Sequence, residues 1–249
     1  QYAMHAGNSE TGLKTLAQLQ CNYGYMEMMY DKFEKADTLL IKGETNMGQL
    51  YKFNPESYSR PMSLCLQYRG MLYEKTNRFT EAETCYNKSL DIMWQLYDKD
   101  PQGAVENLIY LETDMGLLHR RMIDYAKSTD NFIRAYRLYK QLSEVQQNTL
   151  AFTKEELVHE IVVSGKETKR YTELLSIINS EMENTRNINS LVMDKGTVLL
   201  CLGDNAGALD CLRQVVKADE NFVSNGGLDS ILYMELKKRG LISEKQLRE

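Results

Sequence analysis

Proline is almost missing, with 3 residues in 249, and glycine numbers only 15. The residues that interrupt helices are therefore scarce, and long helices can run unbroken. No apolar run approaches the roughly 20 residues that a membrane span needs; the longest are short stretches such as Val198-Leu199-Leu200-Cys201-Leu202. A basic excess is also lacking. The net charge is −5, the pI is about 5.4, and Lys and Arg form no run longer than three residues, so the electrostatic footprint of a nucleic-acid binder is absent. The 5 cysteines, Cys21, Cys65, Cys85, Cys201 and Cys211, are odd in number and make no C-x-x-C pair. That pattern fits neither a zinc site nor the disulfide framework of a small secreted domain. It reads as small apolar residues buried in a reducing compartment. The chain opens at Gln1 without a signal peptide, which reads as cut from something longer or processed, and a cytoplasmic setting is expected.

What the chain does have is a globular composition, 43% hydrophobic and 26% charged, and an internal repeat. Gly24, Gly70 and Gly116 are 46 residues apart, and so are Phe33, Phe79, Tyr125 and Tyr171. Ala36, Ala82 and Ser128 share the step, as do Leu40, Tyr86, Phe132 and Ile178. Gln49-Leu50-Tyr51 returns as Gln95-Leu96-Tyr97, and Asn54-Pro55 as Asp100-Pro101. Many matches at one offset mark a repeat architecture. From Tyr171 to the equivalent Asn205 the step shortens to 34.

Each unit reads as two helices. In the second, Ser59 is expected to cap a helix with Pro61 near its start, and Leu66, Gly70 and Tyr73 recur at helical spacing. Lys75-Thr76-Asn77-Arg78 is a polar turn. Thr80 with Glu83 suggests a capping box for the next helix, where Ala82, Tyr86, Leu90 and Met93 share one face. Glycine inside a helix costs about 1 kcal/mol against alanine, so its recurrence points to close helix–helix approach, with Ala36 and Ala82 as the matching small residues. In the fourth unit Val162 and Leu174 stand where Gly and Ala are expected. Leu228 to Gln246 reads as a helix, a break at Gly240 and a short charged helix that closes the end of a stack.

The pattern Leu66, Gly70, Leu72-Tyr73, Phe79, Ala82, Tyr86, with Asn-Pro or Asp-Pro between units and Asn22-Tyr23-Gly24 in the first, resembles the tetratricopeptide repeat. Its 46-residue variant is similar to the kinesin-light-chain-like subclass found widely in bacterial proteins. The resemblance implies an all-α, right-handed solenoid of antiparallel helix pairs. The units would lie near 10–53, 54–99, 100–147, 152–185 and 187–220, with a C-terminal cap over 226–249. It also implies a concave groove, lined by the first helix of each pair, that binds a peptide or protein segment.

Motifs of chemistry are scarce. His159-Glu160 lacks the second His of a zinc-protease helix, and Ser164-Gly165-Lys166-Glu167 lacks the upstream Gly and following Ser or Thr of a phosphate loop. His5 has no ligand spacing around it, and His119 is expected to be exposed or groove-facing. No catalytic residue, metal or cofactor is expected. The candidates are instead groove residues: Gln18, Asn22, Tyr25 and Met29; then Gln67, Met71 and Glu74; then Tyr110, Thr113, Asp114, Leu117 and Arg120; then His159, Glu160 and Val163; and finally Met193, Asp194 and Thr197. This set mixes aromatic, Met and amide groups with few cations, so it suits a partly apolar segment rather than a terminal carboxylate. The leading expectation is a non-catalytic scaffold for a protein or peptide partner, with neither nucleic acid nor a membrane span. A ligand-responsive regulatory domain, a homodimer paired through the open edge of the stack, and a groove-based enzyme are the alternatives.

Overall fold

The computed structural model describes residues 9–185, 188–219, 221–222 and 226–243. Among the described residues there are twelve α-helices, one 3-10 turn and no strand. The helices are α1 (Glu10–Met29), α2 (Phe33–Phe53), α3 (Pro55–Lys75), α4 (Phe79–Tyr97), α5 (Pro101–Arg121), α6 (Tyr125–Tyr139), the single turn α7 (Glu144–Gln147), α8 (Lys154–Gly165), α9 (Tyr171–Met182), α10 (Asn189–Cys201), α11 (Asn205–Ala218) and α12 (Ile231–Lys238). They form two compact units, one of Gln1–Asp124 with Arg137–Gln147 and one of Tyr125–Tyr136 with Asn148–Glu249.

The repeat is written into the backbone as well as the side chains. Asp31, Asn77, Ile123 and Lys169 adopt left-handed φ angles of 58°, 59°, 64° and 59°, each one repeat step after the last. The next amide then reaches back to close the helix end: Lys32 to the Glu27 carbonyl at 2.9 Å, Arg78 to Tyr73 at 2.7 Å, Asp124 to His119 at 2.8 Å and Arg170 to Gly165 at 3.3 Å. This is the Schellman closure, which satisfies carbonyls that a helix end would leave bare. Gly203, with φ 87°, makes the same turn after the shortened step, and the Asp204 amide donates to Leu199 at 2.9 Å.

That closure displaces the expected capping box. α4 begins at Phe79, so its cap position is Arg78, which makes no side-chain cap bond; the Arg78 amide is already held by Tyr73. The first helices do use side-chain caps. Asn54 accepts from the Ser57 amide at 3.1 Å and Asp100 from Gly103 at 3.0 Å. The helix expected to start at Ser59 therefore starts four residues earlier, at Pro55. Ser59 is buried inside it and donates to the Pro55 carbonyl at 2.6 Å. Pro61 also lies inside α3, where it forgoes the helical bond to the Ser57 carbonyl. At the start of α8, Thr153 and Glu156 make a complete capping box.

In the first unit α2 packs against α1 and α3, and α4 against α3 and α5. Ala82, Tyr86, Leu90 and Met93 are all buried, and full burial of a side chain the size of Leu90 or Met93 is worth about 1.5–3 kcal/mol. The recurrent glycines have a steric cause. A β-carbon on Gly24 would lie 2.7 Å from Leu40 Cγ, and one on Gly70 would lie 2.5 Å from the Tyr86 ring. The nearest neighbour of each glycine is this large residue of the second helix, and Ala36 and Ala82 are both fully buried. Phe33 and Phe79 are only half-buried.

Two cysteines correct the expectation of five unpaired thiols. Cys21 and Cys65 are disulfide-bonded with Cα atoms 5.7 Å apart, while Cys85, Cys201 and Cys211 are free. The pair carries no spacing motif, because it forms through the side-by-side contact of α1 and α3.

In the second unit α8, α9 and α10 pack together, and α11 and α12 pack on α10. The small residue that the fourth repeat lacks at Val162 comes three residues later: a β-carbon on Gly165 would lie 2.7 Å from Leu174 Cδ2. Val162 is itself buried. Leu200, Ala208, Leu212, Val215 and Phe222 gather around Leu232 and Leu236 of α12. Gly240 follows with φ 70°. The short charged helix expected toward Gln246 lies outside the described residues, as does His5.

Candidate groove on the first helices

In the first unit α1 touches α3 and α3 touches α5, so the first helices of three successive pairs stand side by side. Gln18 and Asn22 are exposed on α1, and Met29 is 51% exposed. Tyr25 is half-buried and stacks on Tyr68 of α3, with ring centroids 4.5 Å apart and planes at 26°. On α3, Gln67, Met71 and Glu74 are half-buried, as are Tyr110, Thr113, Asp114, Leu117 and Arg120 on α5.

Several of these residues hold one another. Gln67 Nε2 donates to Asp114 Oδ2 at 2.7 Å, linking α3 to α5. Glu74 accepts from Tyr86 at 3.2 Å and from Arg121 Nη1 at 2.8 Å. Burial pushes the Asp114 carboxyl up to about 7, with the Glu74 charge adding to the effect and the Gln67 bond opposing it. A carboxyl removed from water with one amide donor gains too little to stay ionised at its usual pH. Burial likewise holds the Tyr86 phenol far above its ordinary range.

A cavity of about 270 Å³ opens beside these helices. Gln18, Asn22, Arg60, Leu64 and Asn107 line it, with Cys21 and Cys65 in its wall. Leu64 and Asn107 were missed in the sequence, yet Leu64 lies one repeat step from both Gln18 and Tyr110, a register that could have found it. A larger cavity of about 460 Å³ lies near the ends of α2 and α4, where Arg60 pairs with Asp100 at 3.0 Å; none of the expected groove residues lines it.

His119 departs from its expected place. It is 3% exposed, with Nε2 3.1 Å from Glu83 Oε1, so it links α5 to α4 inside the unit. In the second unit His159 is exposed and its Nδ1 lies 2.8 Å from Asp194 Oδ1. Asp194 and Thr197 are buried, which makes them supports rather than binding surface, whereas Glu160, Val163 and Met193 are half-buried. Burial raises the Asp194 carboxyl and the His159 bond opposes it. Among the described residues no three of His, Cys, Asp and Glu are placed to hold a metal ion, and no helix is long and apolar enough to cross a membrane.

Residues 67–92 match the family model described as the tetratricopeptide repeat. No curated protein matches the chain by sequence. Among solved structures, the chain is similar to BtubC (BKLC) from P. vanneervenii, with a TM-score of 0.61 at 12% identity, over 87% of this chain and 85% of that one. A second match, Pseudomonas aeruginosa pilF, has a TM-score of 0.41 at 11% identity, over 92% of this chain and 99% of that one. At such identities the first likeness concerns the fold alone.

Proposed function

We propose that this chain, a helical-repeat protein of the tetratricopeptide type, is a non-catalytic scaffold that binds a peptide or protein segment along α1, α3 and α5. The observation that carries the reading is the alignment of these three helices beside a cavity lined by Gln18, Asn22, Leu64 and Asn107. Amides of this kind hydrogen-bond an extended backbone, while Leu64, Met29, Met71 and the Tyr25–Tyr68 stack offer apolar contact. Methionine adapts its shape to such a partner. The lining is mostly amide and apolar, so the favoured ligand is a partly apolar segment.

Peptide display on the oxidised protein tests this reading. Enriched peptides are expected to bind the wild type and to lose about tenfold or more in affinity, roughly 1.4 kcal/mol, to an Asn22→Ala/Leu64→Glu variant that stays helical by circular dichroism. Equal binding to both proteins would remove the groove from the account.

A further inference from the structure

The Cys21–Cys65 bond joins α1 to α3, the first helices of two successive pairs. It ties one pair to the next rather than closing a pair on itself. One repeat step onward the equivalent positions hold Gln67 and Leu111, so the α3–α5 junction has no such tie. Each cysteine is 2% exposed, packed among Ala17, Met47, Leu50 and Tyr58. Gly43 of α2 makes the room, since a β-carbon there would lie 2.5 Å from Cys21 Sγ. Both cysteines also line the cavity beside Gln18 and Asn22, which gives a small thiol a route to the bond. The other thiols compete poorly for exchange: burial raises the pKa of Cys85, Cys201 and Cys211, and the attacking species is the thiolate.

We propose that Cys21 and Cys65 are a reversible redox latch that fastens the first helix pair to the second. A low-molecular-weight thiol opens it. The thiolate attacks one cysteine sulfur, the S–S bond breaks, and the electron pair leaves on the other cysteine, which takes a proton. A second thiolate then attacks the small-molecule sulfur of the mixed disulfide, and the electron pair leaves on the remaining protein cysteine, which takes a proton. The net result is two protein thiols and one small-molecule disulfide. Closing runs the same steps in reverse, with a glutathione-type disulfide as oxidant, reduced to two thiols. Opened, α1 keeps its packing on α2 but loses its covalent hold on α3, and the chain between the cysteines, 44 residues apart in sequence, regains freedom when it unfolds.

Counting thiols and following hydrogen exchange test the latch. Protein equilibrated in oxidised glutathione and unfolded without reductant should take three maleimide labels by mass, and five after reduction. In buffers of graded glutathione ratio the closed fraction should follow the buffer in both directions. The amides of α1 should exchange on the order of tenfold faster in the reduced protein, with those of α4 unchanged. Cys65→Ser, or Cys21→Ala should that variant fold poorly, should exchange like reduced wild type in every buffer. Five labels after oxidation, or α1 exchange that ignores redox state, would overturn the proposal, and the wild-type comparison depends on no variant.

Discussion

Single residues show where steric fit overrides intrinsic preference. Gly48 and Gly70 both lie inside helices, and propensity alone favours alanine at each by about 1 kcal/mol. The nearest atom to a β-carbon on Gly48 is Met62 Cε at 4.0 Å, while on Gly70 the Tyr86 ring stands at 2.5 Å. Tyr86 is fully buried and has nowhere to go. Gly48→Ala should therefore stabilise by about 1 kcal/mol, and Gly70→Ala should destabilise by about 1–3 kcal/mol, as read from denaturant midpoints; the same sign for both would refute the packing argument. Ile123 is the converse case. It holds a left-handed φ of 64° with a β-branched, 72% exposed side chain. Ile123→Gly removes a strain of about 1 kcal/mol or more and loses little packing. A rise in Tm of about 2–4 °C is expected, and a fall would count against the strain.

Asp114 gives a residue-scale prediction with a pH sign. Its folded pKa, about 7, lies above its ordinary value of 3.8, so the folded state holds the proton more tightly than the unfolded chain. The stabilisation from this group is complete below the ordinary value, declines as pH rises from about 4, and is gone above about 7. Asp114→Asn keeps an oxygen for Gln67 and has no proton to lose. The Tm difference between variant and wild type should thus shift toward the variant between pH 4 and 8, then level off; a constant difference would show that Asp114 is ordinarily ionised.

At the scale of elements, the helix pairs were legible in the sequence and their junctions less so. Gly24, Gly70, Tyr86 and Leu40 announced the period because close approach demands the same residue sizes at each step. The start of α3 was misplaced since Pro61 resembles a helix opener, yet Asn54 and Pro55 already cap and open it. The Thr80 box failed because the preceding helix end supplies the closure that a box would otherwise provide. Asn77 hinted at the left-handed conformation of that turn; the residue types of Ile123 and Lys169 did not, since neither favours a positive φ.

Across the whole molecule, the sequence carried the class of the fold and part of its exposed surface. Gln18, Asn22 and Met29 are exposed on α1, as register alone predicts. His119, Asp194 and Thr197 could not, because a helix packed against neighbours on several sides buries polar residues that one repeat pattern assigns to the surface. The disulfide was hidden for a related reason, its cysteines occupying positions that are not equivalent in the repeat.

A partner segment lying along the first helices of the first unit would shield their amides. Hydrogen exchange of the protein bound to a display-selected peptide reads that shielding. Added protection is expected in α1, α3 and α5, lost in the Asn22→Ala/Leu64→Glu variant. Protection confined to α2 and α4 would contradict that placement.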